Sequence, residues 1–183
     1  MMIERIRREH GYMVRLLAIL NRKVHLLEQE QPINYGVIKE IVDYLANHSE
    51  KIHHPKEDIL YHYFIEKYGS QEHIDNLESD HQALSEKTHS FLDIVEMILH
   101  DAVVPQELFI GRLSEFIQDQ KKHLDLEEHS VLPLIEKRFT TSDWQQVESL
   151  WTVVEDDPVF GETIADRYKQ LAQRVRQNEL ESV

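Results

Sequence analysis

The sequence predicts an all-α protein, an antiparallel up-down four-helix bundle with extra helices at its C-terminal end. Helix breakers are scarce, because only five of the 183 residues are glycine and five are proline. Apolar residues recur at alternating steps of three and four along four long segments. Short turn-forming segments separate them, and short connections place neighbouring helices antiparallel.

Capping and turn residues set the ends of the four long helices. Asn34 suits the N-cap of the second helix, and Gly69 is placed to end it. Ser70 is a suitable cap for the third helix, and Pro105 suits the first turn of the fourth. The helices are predicted over residues 2–30, 35–68, 70–100 and 105–138.

Two prolines fall inside predicted helices. Proline lacks a backbone N–H and clashes with the preceding turn, so Pro55 and Pro133 predict irregular backbone in the second and fourth helices. Pro55 directly follows His53 and His54. The irregularity there could decide which of these two histidines faces the interior.

The pattern changes after Thr140. A cap within Thr141–Asp143 precedes a short amphipathic stretch, and a last helix is predicted over residues 160–178. We therefore predict a bundle over residues 1–140 and a C-terminal helical extension over residues 141–183, packed on the same domain.

Composition limits the classes of function. The formal net charge is −14, and such a surface repels phosphate backbones, so no nucleic-acid partner is expected. No stretch approaches the roughly 20 apolar residues that span a bilayer, and the first residues lack the apolar block of a secretory signal. With no cysteine for disulfides or thiolate ligands, a cytoplasmic location is expected. The 12 histidines, together with carboxylates, suit iron, zinc or manganese.

Histidines replace apolar residues at one level of the predicted bundle. His10 lies about 20 residues before the first helix ends and His53 about 19 residues after the second begins, so both are about 30 Å from the shared turn. Glu57 and His81 each lie about 11 residues from the next turn, and His81 and His123 about 19 and 18 residues from the third. All three turns therefore predict that these side chains meet.

Carboxylates accompany two of these histidines. Glu57 follows His53, and Glu127 follows His123, at a spacing of four that puts both side chains on one helix face. Burying four imidazoles and two carboxylates without partners would cost roughly several kcal/mol for each group. Metal coordination would remove this cost, and two bridging carboxylates favour two ions rather than one.

These elements resemble the hemerythrin-like HHE cation-binding family over roughly residues 1–140. The resemblance is carried by the segments His53-His54-Pro55-Lys56-Glu57-Asp58 and His123-Leu124-Asp125-Leu126-Glu127-Glu128-His129, with single histidines on the other two helices. It implies a non-haem centre of two iron ions, bridged by carboxylates and an oxo or hydroxo group. The implied terminal ligands are His10, His53, His81 and His123, and the implied bridges are Glu57 and Glu127.

The resemblance is incomplete on the third helix. Oxygen-carrying hemerythrins have two histidines one turn apart there, whereas His81 has Leu77 and Ser85 at that spacing. With four imidazoles, each six-coordinate iron would keep one open position. This pattern is similar to family members linked to iron-centre repair, nitric oxide chemistry or iron and oxygen sensing, and it argues against plain oxygen transport.

Several assignments have alternatives. Glu127 is the preferred bridge because it repeats the four-residue spacing of the second helix, but Glu128 matches the five-residue spacing of the carriers. His54 is assigned an outer or exposed position. Three tyrosines are candidates to hydrogen-bond a metal-bound ligand, with core packing as the alternative: Tyr12, Tyr44 and Tyr61. The remaining histidines are assigned to the surface: His25, His48, His62, His73, His89, His100 and His129.

A ferritin-like oxidase is the nearest rival, since its mark is Glu-xx-His on two helices. Glu50 and Glu78 fit that spacing ahead of His53 and His81. They lie on consecutive helices, however, and the other two helices offer histidine where that site needs glutamate. The rival is therefore disfavoured.

The predicted function is that of a hemerythrin-like di-iron protein that binds dioxygen or nitric oxide, in sensing, stress response or iron handling. The first alternative is a di-iron enzyme with peroxidase-like or nitric-oxide-reducing activity, or an iron-centre repair protein. The second is an interaction module with a structural metal. It would dock a protein partner, or a second copy, through the C-terminal helices around Trp144–Trp151.

Overall fold

The computed structural model describes residues 1–151 and 156–181, which form helices and turns and contain no strand. This confirms the all-α prediction. Nine α-helices are found within these residues, and their bounds are α1 Met2–Glu28, α2 Tyr35–Asp43, α3 His54–Tyr68, α4 Glu72–Asp75, α5 Leu77–Leu99, α6 Gln106–Leu126, α7 Leu132–Arg138, α8 Thr141–Leu150 and α9 Lys169–Glu181.

Four long rods build the bundle, and two of them are composite. A first π-helical segment, Tyr44–His53, joins α2 to α3, and a second, Glu127–Val131, joins α6 to α7. The helix α1 packs against α6, α2 against α5, and α5 against α6, while α1 also contacts the first π-helical segment. Short turns link the rods in chain order, which gives the predicted up-down arrangement.

The turns between rods follow the predicted capping chemistry in part. The Asn34 side chain accepts hydrogen bonds from the backbone N–H groups of Gly36 and Val37, at 2.9 and 3.3 Å, and so caps α2 as predicted. Gly69 ends α3 with φ of 90°, a backbone conformation that favours glycine. The prediction of Ser70 as a cap was wrong, because its hydroxyl donates to the Asp75 carboxylate instead.

Each composite rod widens just before a proline. The first π-helical segment ends two residues before Pro55, and the second ends two residues before Pro133. A proline cannot donate the α-helical hydrogen bond to the residue four before it. A wider turn accommodates this loss without breaking the rod, and such turns are frequent at functional sites.

Two apolar cores lie in series along the bundle. The larger core contains residues such as Leu16, Ile38, Val95 and Phe109, and the smaller contains residues such as Ile6, Leu60, Ile74 and Ile135. On every rod, the change from one core to the other falls at a predicted ligand. The predicted ligands therefore form a polar layer between the two cores.

The helix α8 packs on α3 through Asp143. This carboxylate accepts hydrogen bonds from Tyr63 at 2.9 Å, and also from Tyr68 and Lys67. Asp143 further completes a capping box with Thr140, which is the N-cap in place of the predicted Thr141–Asp143. The Trp144 ring packs on Phe139, 4.8 Å between centroids, so it contacts its own chain.

The helix α9 packs on α2. The Glu40 carboxylate accepts from the backbone N–H groups of Gln170 and Leu171, at 3.2 and 3.1 Å. The predicted helix start at residue 160 was wrong, because turns and a short 3-10 segment, Asp166–Tyr168, precede α9. Within the predicted extension, residues 152–155 and 182–183 lie outside the described residues. No helix of the described part of the chain is apolar over a length that could cross a bilayer.

Candidate metal centre

The six predicted ligands meet in the polar layer. His10 lies on α1, His53 ends the first π-helical segment, and His81 and His123 lie on α5 and α6. The two glutamates, one on each composite rod, are fully buried. Four imidazole Nε2 atoms approach these carboxylates, at 2.8 Å for His10–Glu57, 3.1 Å for His53–Glu57, 3.0 Å for His81–Glu127 and 3.2 Å for His123–Glu127.

Three of the four imidazoles are oriented by a second carboxylate. In each case Nδ1 faces the outer carboxylate, so Nε2 is the atom directed at the centre. The Nδ1–oxygen distances are 2.7 Å for His10–Glu128, 2.7 Å for His53–Glu9 and 2.8 Å for His81–Asp58. Carboxylate–imidazole pairs of this kind orient metal ligands and raise their basicity.

The outer carboxylates are themselves held by cations. Lys56, fully buried, donates to both oxygens of Glu9 at 2.5 and 2.9 Å. Arg7 donates to Glu128 at 2.6 Å. Burial would raise the pKa of Glu9, but hydrogen bonds from His53 and Lys56 outweigh burial and lower that pKa to about 2. Glu9 is therefore an anion at neutral pH.

The inner carboxylates are also anions. Burial and the charge of Glu127 would raise the pKa of Glu57, but His53 and His10 lower it to about 2. Burial would lower the pKa of His81, but hydrogen bonds to Asp58 and Glu127 raise it to about 10. Burial would also lower the pKa values of His10 and His53, but Glu57 and the other carboxylates raise them. Without metal, protons on His10, His53 and His81 therefore balance the buried carboxylates. A bound cation would take over that role and release these protons.

Unpartnered atoms test whether the residues present fit a metal. His53 Nε2 lies 3.1 Å from Glu57 Oε1, yet among the described residues neither atom has a hydrogen-bond partner. His123 Nε2 and Glu127 Oε2 are also buried without a hydrogen-bond partner among these residues. Each such buried atom costs about 1–3 kcal/mol. Two imidazole nitrogens and two carboxylate oxygens that face one centre suit borderline divalent cations, so the residues fit a metal site.

The candidate ligand atoms form two groups that share Glu57. One group contains His10, His53, Glu57 and Glu127, all buried, and the other contains His54, Glu57, His81 and His123. Within each group, one ligand atom per residue lies within 4.8 Å of all the others. In the second group the imidazoles of His54 and His123 are partly exposed, so this half of the centre is the accessible one.

An acidic cleft of about 750 Å³ leads to the accessible half, between α3 and α5. His54 and His81 line its inner end. No lysine or arginine is among the described residues that line it, and it carries five carboxylates, from Glu50, Asp58, Glu78, Glu86 and Asp93. A cleft with this charge attracts cations.

The geometry separates the alternatives for the carboxylates. Glu127 is fully buried at the centre, whereas Glu128 lies outside it, bonded to His10 Nδ1 and Arg7. This arrangement favours Glu127 as the inner carboxylate. The two glutamates of the ferritin-like pattern do not reach the centre, since Glu50 pairs with His89 at 2.7 Å and Glu78 is exposed.

Sequence reasoning missed several residues of the centre. His54, assigned an outer or exposed position, belongs to the second ligand group. Glu9 also went unnoticed, although it lies on the inward face of α1, three residues after Ile6 and four before Met13. Among the candidate tyrosines, Tyr61 donates to Glu127 at 3.0 Å. Tyr44 donates to Asp157, and Tyr12 stacks on Phe160.

One histidine assigned to the surface is largely buried. The His48 side chain is 11% exposed and stacks on Tyr44, 4.9 Å between ring centroids. Its Nε2 atom lies 3.6 Å from the carboxylate of Asp157. His48 is buried by contacts with the C-terminal region. The spacing of residues within its own helix could not indicate these contacts.

A comparison with protein families gave a match over most of the chain. The model of the family described as Hemerythrin HHE cation binding domain matches residues 1–135. The matched region contains all six predicted ligands and the outer carboxylates of Glu9, Asp58 and Glu128. Comparisons with curated proteins and with solved structures gave no match.

Proposed function

Because the chain belongs to the family of hemerythrin HHE cation-binding domains, we propose that it holds two non-haem iron ions and binds dioxygen or nitric oxide. His10, His53, His81 and His123 would be terminal ligands, and Glu57 and Glu127 the bridging carboxylates. The bound irons would supply electron exchange and positions for a diatomic ligand. The biological roles that fit this chemistry are sensing, stress response and iron handling.

The observation that carries the proposal is the set of buried atoms without partners. Four of them face one another in the polar layer: His53 Nε2, Glu57 Oε1, His123 Nε2 and Glu127 Oε2. A stable core rarely leaves such atoms unpaired. They belong to two different rods and to both ligand groups, which supports two ions rather than one.

The surrounding residues support ligand binding by holding protons and excluding water. The outer carboxylates of Glu9, Asp58 and Glu128 keep a proton on Nδ1 and leave Nε2 free to bind. The Tyr61 hydroxyl donates to Glu127 Oε1 and fixes that carboxylate. The two apolar cores flank the layer on both sides along the bundle, and the acidic cleft opens on its accessible half.

The test is metal content with an optical spectrum on untagged protein from iron-supplemented cells. We expect about two irons per chain, near-ultraviolet charge-transfer bands, and a spectral change on addition of dioxygen or nitric oxide. His81→Ala should lose these bands, while His73→Ala, at an exposed position, should keep them. A folded wild-type protein that takes up no iron would contradict the proposal.

A second candidate function, delivery of iron to damaged iron centres, is favoured by the acidic cleft. The cleft leads directly to the accessible half of the centre, so bound iron has an acidic exit path. Iron-loaded protein should then transfer iron to a coloured chelator faster than a Glu86→Gln/Asp93→Asn variant does. Equal transfer rates with equal iron content would remove the support that the cleft gives to delivery.

A further inference from the structure

Among the described residues, the imidazole of His54 has no hydrogen bond or ion pair, whereas those of His10, His53, His81 and His123 each pair with a carboxylate. The backbone N–H of His54 donates to Ser49 O, and its ring is only partly exposed. Asp58, one turn further on α3, bonds to His81 instead, at 2.8 Å. An imidazole that gives up much of its hydration without gaining a partner is unfavourable in a folded protein.

The surroundings of His54 are other candidate ligands. Its ring stacks on that of His81, with centroids 4.2 Å apart and an interplanar angle of 9°. It lies 6.0 Å from the ring of His123 and 5.8 Å from that of His53. Ligand atoms of His54, Glu57, His81 and His123 all lie within 4.8 Å of one another.

These distances are close to those of a six-coordinate ion. Bonds of about 2.1 Å place opposite donors about 4.2 Å apart in an octahedral site. If each donor moved by about a few tenths of an ångström, the largest distance between the four donors would fall to that of an octahedral site. The His54 ring breaks no hydrogen bond when it rotates off His81, and the acidic cleft beside it leaves room for the rotation.

The helix α5 offers no second imidazole to this half of the centre. One turn before His81 is Leu77, fully buried in the smaller core, and one turn after it is Ser85, on the cleft wall. A further nitrogen donor for this half must therefore come from a neighbouring rod. His54 is the histidine on α3 that the fold places there.

We propose that His54 is a direct ligand of the metal ion in the accessible half, together with Glu57, His81 and His123. This inference rests on the proposed function, since it assigns one more ligand to the same centre. The two halves then differ, with three imidazoles on the accessible ion and two, from His10 and His53, on the buried ion. The position left for an external ligand falls on the buried half.

Metal titration tests the proposal without measuring activity. Metal-free protein is titrated anaerobically with Fe²⁺ and, separately, with Co²⁺, whose visible bands report its coordination. The variants are His54→Ala, which removes the ring, and His54→Phe, which keeps an aromatic ring to stack on His81. His89→Ala is the matched control, because His89 lines the same cleft but lies outside both ligand groups.

We expect both His54 variants to bind one ion as the wild type does and the second at least 10-fold more weakly, with altered Co²⁺ bands. Free imidazole should restore the bands of His54→Ala, while His89→Ala should match the wild type. Two ions bound by both variants with wild-type affinity and bands would overturn the assignment. Loss in His54→Ala but not in His54→Phe would also overturn it, because stacking would then be the role of the ring.

The failure of the inference and that of the proposed function are distinguishable. A wild-type protein that binds fewer than two ions contradicts the two-ion proposal, and with it the assignment of His54. A wild-type protein that binds two ions, with His54 variants that do so equally well, contradicts the assignment of His54 alone.

Discussion

His53 Nδ1 lies 2.7 Å from Glu9 Oε2, so a carboxylate on α1 orients a candidate ligand on the neighbouring rod. The same carboxylate accepts two hydrogen bonds from Lys56, whose side chain is fully buried. Glu9 therefore has two separable roles. It sets the direction of an imidazole, and it neutralises a buried ammonium group.

Glu9→Gln is expected to weaken metal binding about 10- to 100-fold, because the amide orients His53 less strongly and lowers its basicity. The substitution should also destabilise the metal-free protein by about 3–5 kcal/mol, since the buried Lys56 loses its counter-charge. Metal titration and urea unfolding measure the two effects. The exposed Glu4, substituted as Glu4→Gln, is the control on the same helix.

A double variant separates these two roles. Glu9→Gln/Lys56→Met removes the buried charge along with its partner, so most of the lost stability should return. The metal affinity should stay low, because His53 still lacks its carboxylate. Recovery of both properties together would mean that the weak binding came from the damaged fold.

Tyr61→Phe removes the hydroxyl that donates to Glu127 at 3.0 Å and to Glu57 at 3.4 Å. A hydrogen bond to a charged buried group contributes about 1.5–3 kcal/mol, so the metal-free variant should lose about that much unfolding free energy. The comparison is Tyr12→Phe, because the Tyr12 ring stacks on Phe160 and its hydroxyl makes no hydrogen bond in the described residues. Equal effects of the two substitutions in urea unfolding would contradict the role of Tyr61.

Removal of metal should lower the melting temperature while leaving the helices in place. A ligand at 100 times its dissociation constant adds about 2.7 kcal/mol, which corresponds to roughly 5–10 °C for a chain of this length. Circular dichroism melts with and without a chelator measure the shift. The variant Glu57→Gln/Glu127→Gln should show no shift, because it lacks both central carboxylates. A chelator-sensitive melt in that variant would place the stabilising metal elsewhere.

Asp143→Asn should loosen α8, with an effect that depends on pH. Burial would raise the pKa of Asp143, but hydrogen bonds from Lys67, Thr140 and Tyr68 lower it well below its usual range. A lowered carboxyl pKa stabilises the fold above the unfolded pKa of about 3.9 and loses that effect as pH falls further. The difference in unfolding free energy between wild type and variant should therefore be largest at about pH 5–7, above the pKa of the unfolded carboxyl group.

The difference should shrink as the pH falls below about 4, where the unfolded carboxyl takes up a proton. Asp125→Asn, at an exposed position of α6, is the comparison and should follow the wild-type curve. A difference between Asp143→Asn and wild type that stays constant down to about pH 2 would mean that the ionised carboxylate is not what holds α8.

The position of the polar layer along the bundle axis could be predicted from the sequence, because each helical residue adds a fixed rise. His10, His53, His81 and His123 each stand at equal distances from a shared turn, and short turns keep those levels aligned. The capping of α2 by Asn34 was equally local, since its hydrogen bonds span two and three residues. Such features need no knowledge of how neighbouring rods are rotated.

The rest depended on contacts between distant parts of the chain. The inward position of His54 depends on the wide turn before Pro55, whose extent sequence periodicity does not give. The pairing of Glu9 with His53 joins residues 44 positions apart. The late start of α9 reflects packing of residues before Lys169 on α2, and local helix preference could not indicate it.

The division of the bundle into two apolar cores has a consequence for how the protein unfolds. A continuous core makes a domain open all at once, whereas two cores joined by a layer of charged groups can open one at a time. The smaller core, around Ile6, Leu60 and Ile135, should then exchange its amide hydrogens first when metal is absent. With metal bound, coordination ties all four rods together at the layer, and both cores should exchange only in the global unfolding event. Occupancy of the centre would thus set the cooperativity of the whole molecule.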